Sequence, residues 1–182
     1  FPTRRSSDLL QRVVQAALGR QRRHALHGPV VKHGAGAAVR LGAPAQRIAF
    51  AVPTGNFGDV FAGYVAAQMG LPIDKLIIAT NRNDILTRCL NTGDYAMNGV
   101  EASLSPSMDI QISSNFERLL FDLGGRDGLA MAEQMAGFEA TRAMQLTNAQ
   151  RANLAAGGAA SLFTSMRADP QDMSRAIRWA WD

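Results

Sequence analysis

Two glycines frame a short corner of the chain whose residues could bind an anion. The stretch Gly55-Asn56-Phe57-Gly58-Asp59 follows an apolar run and leads directly into a helical pattern. The first backbone N–H groups of a helix lack intrahelical acceptors, and the helix dipole adds partial positive charge at the same end. Glycine lets the backbone approach a ligand closely, and the Asn56 side chain adds an amide donor. The pattern therefore predicts a phosphate-binding corner.

The spacing of this corner excludes two well-known phosphate motifs. It does not match Gly-x-Gly-x-x-Gly, and a P-loop would have a lysine where Asp59 stands. We expect Asp59 to cap the helix or to order the loop from behind. Because Gly-x-x-Gly at a strand-to-helix turn also serves tight packing alone, the spacing leaves both interpretations open.

The flanking elements predict a parallel sheet that has the corner at its ligand-binding edge. Apolar runs at residues 46–52 and 75–80 predict buried strands, and the pattern between them predicts a helix that stops at Gly70. A second helical pattern follows and is closed by Gly93. Strand, helix, strand and helix in this order form a parallel βαβ unit of an α/β fold. Its loops leave the carboxyl ends of the strands, where open α/β sheets bind ligands.

Beyond this unit the chain is predicted to be mainly helical. Residues 94–112 predict a loop with one short strand, and residues 126–182 predict a helical region. Helix starts are predicted from three residue pairs: Ser114 with Glu117, Thr147 with Gln150, and Asp169 with Pro170.

The first 34 residues receive no functional assignment. Residues 1–9 match the translation of a common sequencing-library adapter, so we exclude them from the fold prediction. Residues 10–34 are basic, and they are either a stretch read out of frame or a basic amphipathic helix. The three histidines fall here without a carboxylate or a fourth ligand, which argues against a metal site. The arginines lack interleaved aromatic residues, which argues against nucleic-acid binding.

Composition limits the remaining classes of function. With 47% hydrophobic and 19% charged residues over 182 positions, the chain has the balance of a globular domain. It contains no apolar run long enough to span a bilayer, so we predict no membrane role. The single cysteine, Cys89, excludes an internal disulfide, and its helical context predicts a buried, inert thiol.

The central block resembles threonine synthases of the bacterial and fungal type. The resemblance rests on VPTGNFGDVFAGYVAAQMGLPIDKLIIATNRNDIL and SPSMDIQISSNFERLLFDL, and it is clearest between Ala37 and Asp127. It implies a fold-type II enzyme, with the tryptophan-synthase-β-like fold and pyridoxal 5'-phosphate (PLP) as cofactor. It also implies a reaction in which O-phosphohomoserine and water give threonine and inorganic phosphate.

The resemblance also assigns residues to the cofactor site. The family's cofactor-phosphate loop corresponds to five residues here: Gly55, Asn56, Phe57, Gly58 and Asp59. Five further residues match family motifs, and we expect them to shape loops and caps beside the site: Asn81, Asn83, Asp84, Ser107 and Asp109. Residues 35–125 are thus predicted to form the α/β region that binds the cofactor phosphate.

The chain departs from the family in its lysines. Only Lys32 and Lys75 occur, and neither lies in a sequence like the family's cofactor-lysine motif, which the resemblance places earlier in the protein. Lys75 precedes its strand, so we expect it at the opposite end of the sheet from the corner. We predict that no catalytic lysine is present, that the chain is a fragment also truncated at its C-terminal end, and that it is inactive alone.

Two other functions stay open at this point. One is a non-catalytic α/β module that binds phosphate or nucleotides, and the other is a nucleic-acid binder that uses the basic arm. The main prediction is a cytoplasmic enzyme with a small-molecule substrate and no nucleic-acid or membrane partner. The sequence does not predict an oligomeric state.

Overall fold

The computed structural model describes residues 28–155 and 162–181, which form both helices and strands. In chain order the elements are α1 (Gly28–Arg40), β1 (Ile48–Pro53), α2 (Gly58–Gln68), β2 (Ile73–Thr80), α3 (Ile85–Thr92), β3 (Asp94–Ala96), a 3-10 turn (Pro106–Met108), α4 (Phe116–Leu123), α5 (Gly128–Thr141), β4 (Ala143–Gln145), α6 (Asn148–Ala155), β5 (Phe163–Arg167) and α7 (Pro170–Trp181). Residues 1–9 and most of 10–34 lie outside the described ranges, and with them the predictions for those segments.

A parallel three-stranded sheet in the order β1-β2-β5 forms the centre of the fold. Phe50 of β1 pairs with Leu76 of β2, and Leu76 pairs in turn with Phe163 of β5. The predicted parallel βαβ unit is confirmed. Lys75 lies inside β2 rather than before it, opposite Ala49 near the amino end of β1.

Helix α2 packs closely on this sheet. Its residues Val60 and Ala62 are fully buried, as is Ile78 of β2. A Cβ added to Gly63 would come within 2.8 Å of the Leu76 side chain, so glycine permits the close approach of helix and strand. This packing fixes the start of α2, and with it the glycine corner, against the end of β1.

Most of the predicted helix starts and stops are confirmed, and one is wrong. Left-handed glycines follow α2 and α3 as expected, with φ of 97° at Gly70 and 82° at Gly93. The Thr147/Gln150 capping box is confirmed, with reciprocal bonds of 3.2 and 2.9 Å, and Pro170 is the first residue of α7. The predicted capping box of Ser114 and Glu117 does not form. That capping box is wrong because α4 has Asn115 at its N-cap and no side-chain cap bond.

The region after residue 126 contains strands as well as helices, which corrects the prediction of a helical region for 126–182. Strand β4 pairs antiparallel with β3, and β5 joins the central sheet beside β2. The sequence of β5, Phe-Thr-Ser-Met-Arg, is too polar and too short to stand out as a buried strand. Residues 163–167 form a strand because they pair with β2, and their own sequence pattern does not predict this pairing.

Within the described ranges, no group of three or more histidine, cysteine, aspartate or glutamate side chains is arranged to hold a metal ion. None of the helices in those ranges has the length and apolar character needed to cross a membrane.

Candidate functional site

The glycine corner lies between the carboxyl end of β1 and the first turn of α2. The chain leaves the sheet at Thr54, whose N–H donates to the Ala79 carbonyl at 2.8 Å. Thr54 is buried, and its hydroxyl donates to the Val52 carbonyl at 2.6 Å. The corner is therefore anchored to both strands just before its first glycine.

Phe57 anchors the other side of the corner in the core. It is the N-cap residue of α2, and its φ of 64° lies in the left-handed region that residues other than glycine rarely adopt. Its side chain is 1% exposed, and its ring meets Phe116 edge-on with centroids 5.2 Å apart. Phe163 of β5 adds a second ring contact at 6.2 Å. Burial of the ring stabilises a backbone turn that is otherwise unfavourable.

Six consecutive amides, from Gly55 to Val60, are unpaired donors. No acceptor for these N–H groups occurs among the described residues, and the first amide of α2 with one is that of Phe61, which donates to Phe57 at 2.9 Å. Residues 52–60 line a cavity of about 190 Å³. Unpaired amides at a helix N-terminus attract anions, because both the N–H groups and the helix dipole favour negative charge.

The Asn56 carbonyl ties the corner to a neighbouring helix. The Asn56 carbonyl accepts from the backbone N–H of Asn115 at 3.1 Å and from its side-chain amide at 3.0 Å. The two bonds tie the corner to the start of α4. Asn115 was not among the predicted site residues, and it occupies the N-cap position that the sequence had suggested for Ser114.

The two glycines of the corner differ in their surroundings. A Cβ added to Gly55 would lie 2.9 Å from the Ser107 carbonyl oxygen and 3.2 Å from the Ile110 side chain. A Cβ added to Gly58 would meet only the Asn115 side chain, at 3.5 Å, which is an ordinary contact. Gly55 is thus required by close approach of a neighbouring loop, whereas Gly58 is not.

That loop is held by a polar cluster in which two asparagines are buried and the Asp109 carboxylate is partly exposed. Asn81 and Asn83, which follow β2, are 5% and 3% exposed. The Asn81 side-chain amide donates to Asp109 at 2.6 Å, and that of Asn83 donates to the same carboxylate at 3.1 Å. Hydrogen bonds lower the pKa of Asp109. The largest effect comes from the Ser103 hydroxyl, and the Ser103 backbone N–H and the two asparagines add to it. The structure thus brings three of the predicted site-adjacent residues together.

The other two predicted residues have different positions. Ser107 is exposed and contributes its carbonyl oxygen, which faces Gly55. Asp84 stands at the N-cap of α3 without a side-chain cap bond, and it pairs with Arg88 at 3.0 Å and with Arg167 at 3.5 Å. Asp84 is therefore part of an ion-pair group beside β5 and not of the Asp109 cluster.

Relatives in sequence cover parts of the chain at high identity. The threonine synthase of Pseudomonas aeruginosa is 61% identical over 105 residues, which make up 58% of this chain and 22% of that protein. Human threonine synthase-like 2 is 36% identical over 140 residues, which make up 76% of this chain and 28% of that protein. No family model matches the chain.

Solved structures agree with the sequence relatives. PLP-bound threonine synthase from Brucella melitensis has a TM-score of 0.72 at 50% identity, covering 78% of this chain and 29% of its own. Threonine synthase from yeast has a TM-score of 0.73 at 37% identity, covering 83% of this chain and 31% of its own. The chain thus spans less than a third of the length of each of these relatives.

Proposed function

Because this chain belongs to the threonine synthase family, we propose that it carries the phosphate cradle of a PLP-dependent threonine synthase. The observation that carries the proposal is the row of unpaired amides from Gly55 to Val60 along a cavity at the carboxyl edge of the sheet. The complete enzyme would act as a carbon–oxygen lyase on O-phosphohomoserine and water, giving threonine and phosphate. Its place in the cytoplasm stays a prediction.

The residues present fit the phosphate group of PLP. A phosphate dianion needs several donors on one side, and the amides of residues 55–60 can supply them because no acceptor within residues 28–155 and 162–181 competes for them. Asn56 is exposed and can add its side-chain amide. Asp59 is also exposed, so its carboxylate lies in water, while its backbone N–H is one of the unpaired donors.

The chain's own part in the reaction is to bind and to orient. When bound, PLP supplies an electron sink for carbanions of the substrate. The amides of the corner would hold the phosphate end, while the buried Phe57 ring and the bonds to the Asn56 carbonyl keep those amides fixed. Holding the phosphate end in one position would restrict the orientations of the rest of the cofactor, which favours the productive one.

The amine that the family's chemistry requires has to come from elsewhere in the protein. Lys75 lies on β2 opposite Ala49, toward the end of the strands that is remote from Gly55. Since the chain spans less than a third of its solved relatives, we propose that the lysine belongs to a part of the family's protein that this chain does not span. Residues 35–125 would then form the phosphate-binding half of the cofactor site.

Nuclear magnetic resonance on the ¹⁵N-labelled chain tests the cradle directly. We expect inorganic phosphate and PLP to shift the amide signals of residues 55–60 more than those of the rest of the chain. Pyridoxal, which lacks the phosphate group, is the matched control ligand and should leave these signals in place. Equal shifts with pyridoxal and PLP, or unchanged signals with PLP, would contradict the proposal.

A further inference from the structure

One carboxylate, Asp109, holds the loop that lies against the glycine corner. Its Oδ1 atom accepts from the Ser103 hydroxyl at 2.6 Å, from Asn81 at 2.6 Å and from Asn83 at 3.1 Å. Its Oδ2 atom accepts from the Ser103 backbone N–H at 2.7 Å. Four donors from two separate segments thus converge on one side chain, and charge-assisted bonds of this kind are stronger than neutral ones.

These bonds close a short loop whose apex meets Gly55. The loop runs from Ser103 to Asp109, and the 3-10 turn Pro106–Met108 lies between its two ends. Ser107, in the middle of that turn, presents the carbonyl oxygen that lies 2.9 Å from a Cβ position at Gly55. The loop is also joined to the exit of β2, because Asn83 exchanges bonds of 2.8 and 2.9 Å with the backbone of Glu101.

We infer that Asp109 is a positioning residue for the phosphate cradle, acting through the Ser107 turn on Gly55. The inference rests on the proposed function. A glycine is the most flexible point of the corner, and the turn restricts it from one side while the Asn56–Asn115 bonds restrict the corner from the other. Donors at a helix start bind an anion well only when they stay aligned, so loosening the turn should weaken phosphate binding.

Asp109→Asn is the central variant, and Asp74→Asn is its matched control. The first keeps the size of the side chain but replaces one acceptor oxygen with a donor amide that faces other donors. Asp74 is exposed on β2, where it pairs with Arg47 at 3.3 Å, far from the corner. We expect PLP affinity to fall about tenfold in D109N and to stay unchanged in D74N.

The direction of this change separates positioning from simple charge. Removing a negative charge near an anion site would by itself raise the affinity for phosphate. A loss in D109N therefore supports the loss of alignment, and an unchanged or higher affinity would overturn the inference. Hydrogen exchange should report the same change, with faster exchange in D109N, and not in D74N, at the three hydrogen-bonded amides that flank the corner, those of Thr54, Phe61 and Asn115.

A double variant tests the pairing itself. Asn81→Asp combined with Asp109→Asn exchanges the acid and the amide, which restores a donor–acceptor pair between positions 81 and 109. The amide of residue 109 still faces a donor, either Asn83 or the Ser103 backbone N–H. We expect the double variant to bind PLP about threefold more tightly than D109N does, and an affinity no higher than that of D109N would contradict the pairing. If D109N does not fold, Ser103→Ala removes one bond to the same carboxylate, and an unchanged affinity in that variant would count against the inference.

The two proposals can fail separately. If the original chain binds neither inorganic phosphate nor PLP, the proposed function fails. The positioning role is still decided in that case by hydrogen exchange at the bonded amides of Thr54, Phe61 and Asn115. If the original chain binds PLP and D109N binds it equally well, with equal exchange at the corner, only the positioning role fails.

Discussion

Gly55→Ala is the sharpest test of how the corner is built. The added methyl group would lie 2.9 Å from the Ser107 carbonyl oxygen, which belongs to backbone and cannot rotate aside as a side chain could. Ordinary contact begins about 0.5 Å further out, at 3.4 Å, so the turn or the corner has to shift. Overpacking of this kind costs about 1–3 kcal/mol. Alanine also makes the unfolded chain less flexible, which stabilises a protein by about 0.5–1 kcal/mol only where the native site accepts the methyl group without strain.

The expected net loss of stability is about 1.5 kcal/mol, which for a chain of this size corresponds to a fall in Tm of roughly 3–6 °C. Thermal unfolding followed by circular dichroism measures the fall, and calorimetry measures PLP binding, which we expect to weaken at least tenfold. Gly137→Ala is the control, because a Cβ there meets nothing within 4 Å in the middle of α5. If G55A and G137A had the same Tm and bound PLP equally well, the close approach of Ser107 to Gly55 would be refuted.

Three further predictions concern the anchor, the thiol and the reaction. Phe57→Ala should destabilise the fold by about 3 kcal/mol in urea unfolding, because it removes the contacts of the ring with Phe116 and Phe163, and a loss below that of the half-exposed Phe121→Ala would contradict the anchor role. Burial raises the pKa of the Cys89 thiol to about 12, so a thiol reagent at neutral pH should label it only after unfolding. The thiol of the unfolded chain ionises at lower pH than the buried thiol, so ionisation favours the unfolded state as the pH rises above about 9. The free energy of unfolding should therefore fall in alkaline buffers, which unfolding curves would measure. The chain alone should release no phosphate from O-phosphohomoserine, because Lys75 lies toward the wrong end of the sheet and neither Lys75 nor Lys32 lies in a sequence like the family's cofactor-lysine motif. Measurable turnover in a phosphate assay would contradict this prediction.

The local parts of the fold could be predicted from the sequence because their signals are short-range. Two apolar runs bounded by turn residues, with a helical pattern between them, were sufficient to predict a parallel βαβ unit with the glycine corner after β1. The left-handed glycines after α2 and α3 were predictable for the same reason, since a helix stop depends on the residues next to it.

The parts that escaped prediction depend on contacts between distant segments. Asn115 displaces Ser114 as the cap of α4 because its two bonds to the Asn56 carbonyl join segments that are far apart in sequence. The difference between the two glycines of the corner has the same origin. Spacing treats Gly55 and Gly58 alike, and only the position of the Ser107 turn shows that one of them has no room for a side chain.

The order of strands in the central sheet has a consequence for how the chain assembles. Strands β1 and β2 are joined by a single helix, whereas β5 reaches β2 only after all the intervening helices, as the pairing of Leu76 with Phe163 shows. Closing a long stretch of chain costs more entropy than closing a short one, so the β1–α2–β2 unit should become ordered first. When β5 pairs with β2, Phe163 would pack against Phe57 and stabilise a corner that has already formed.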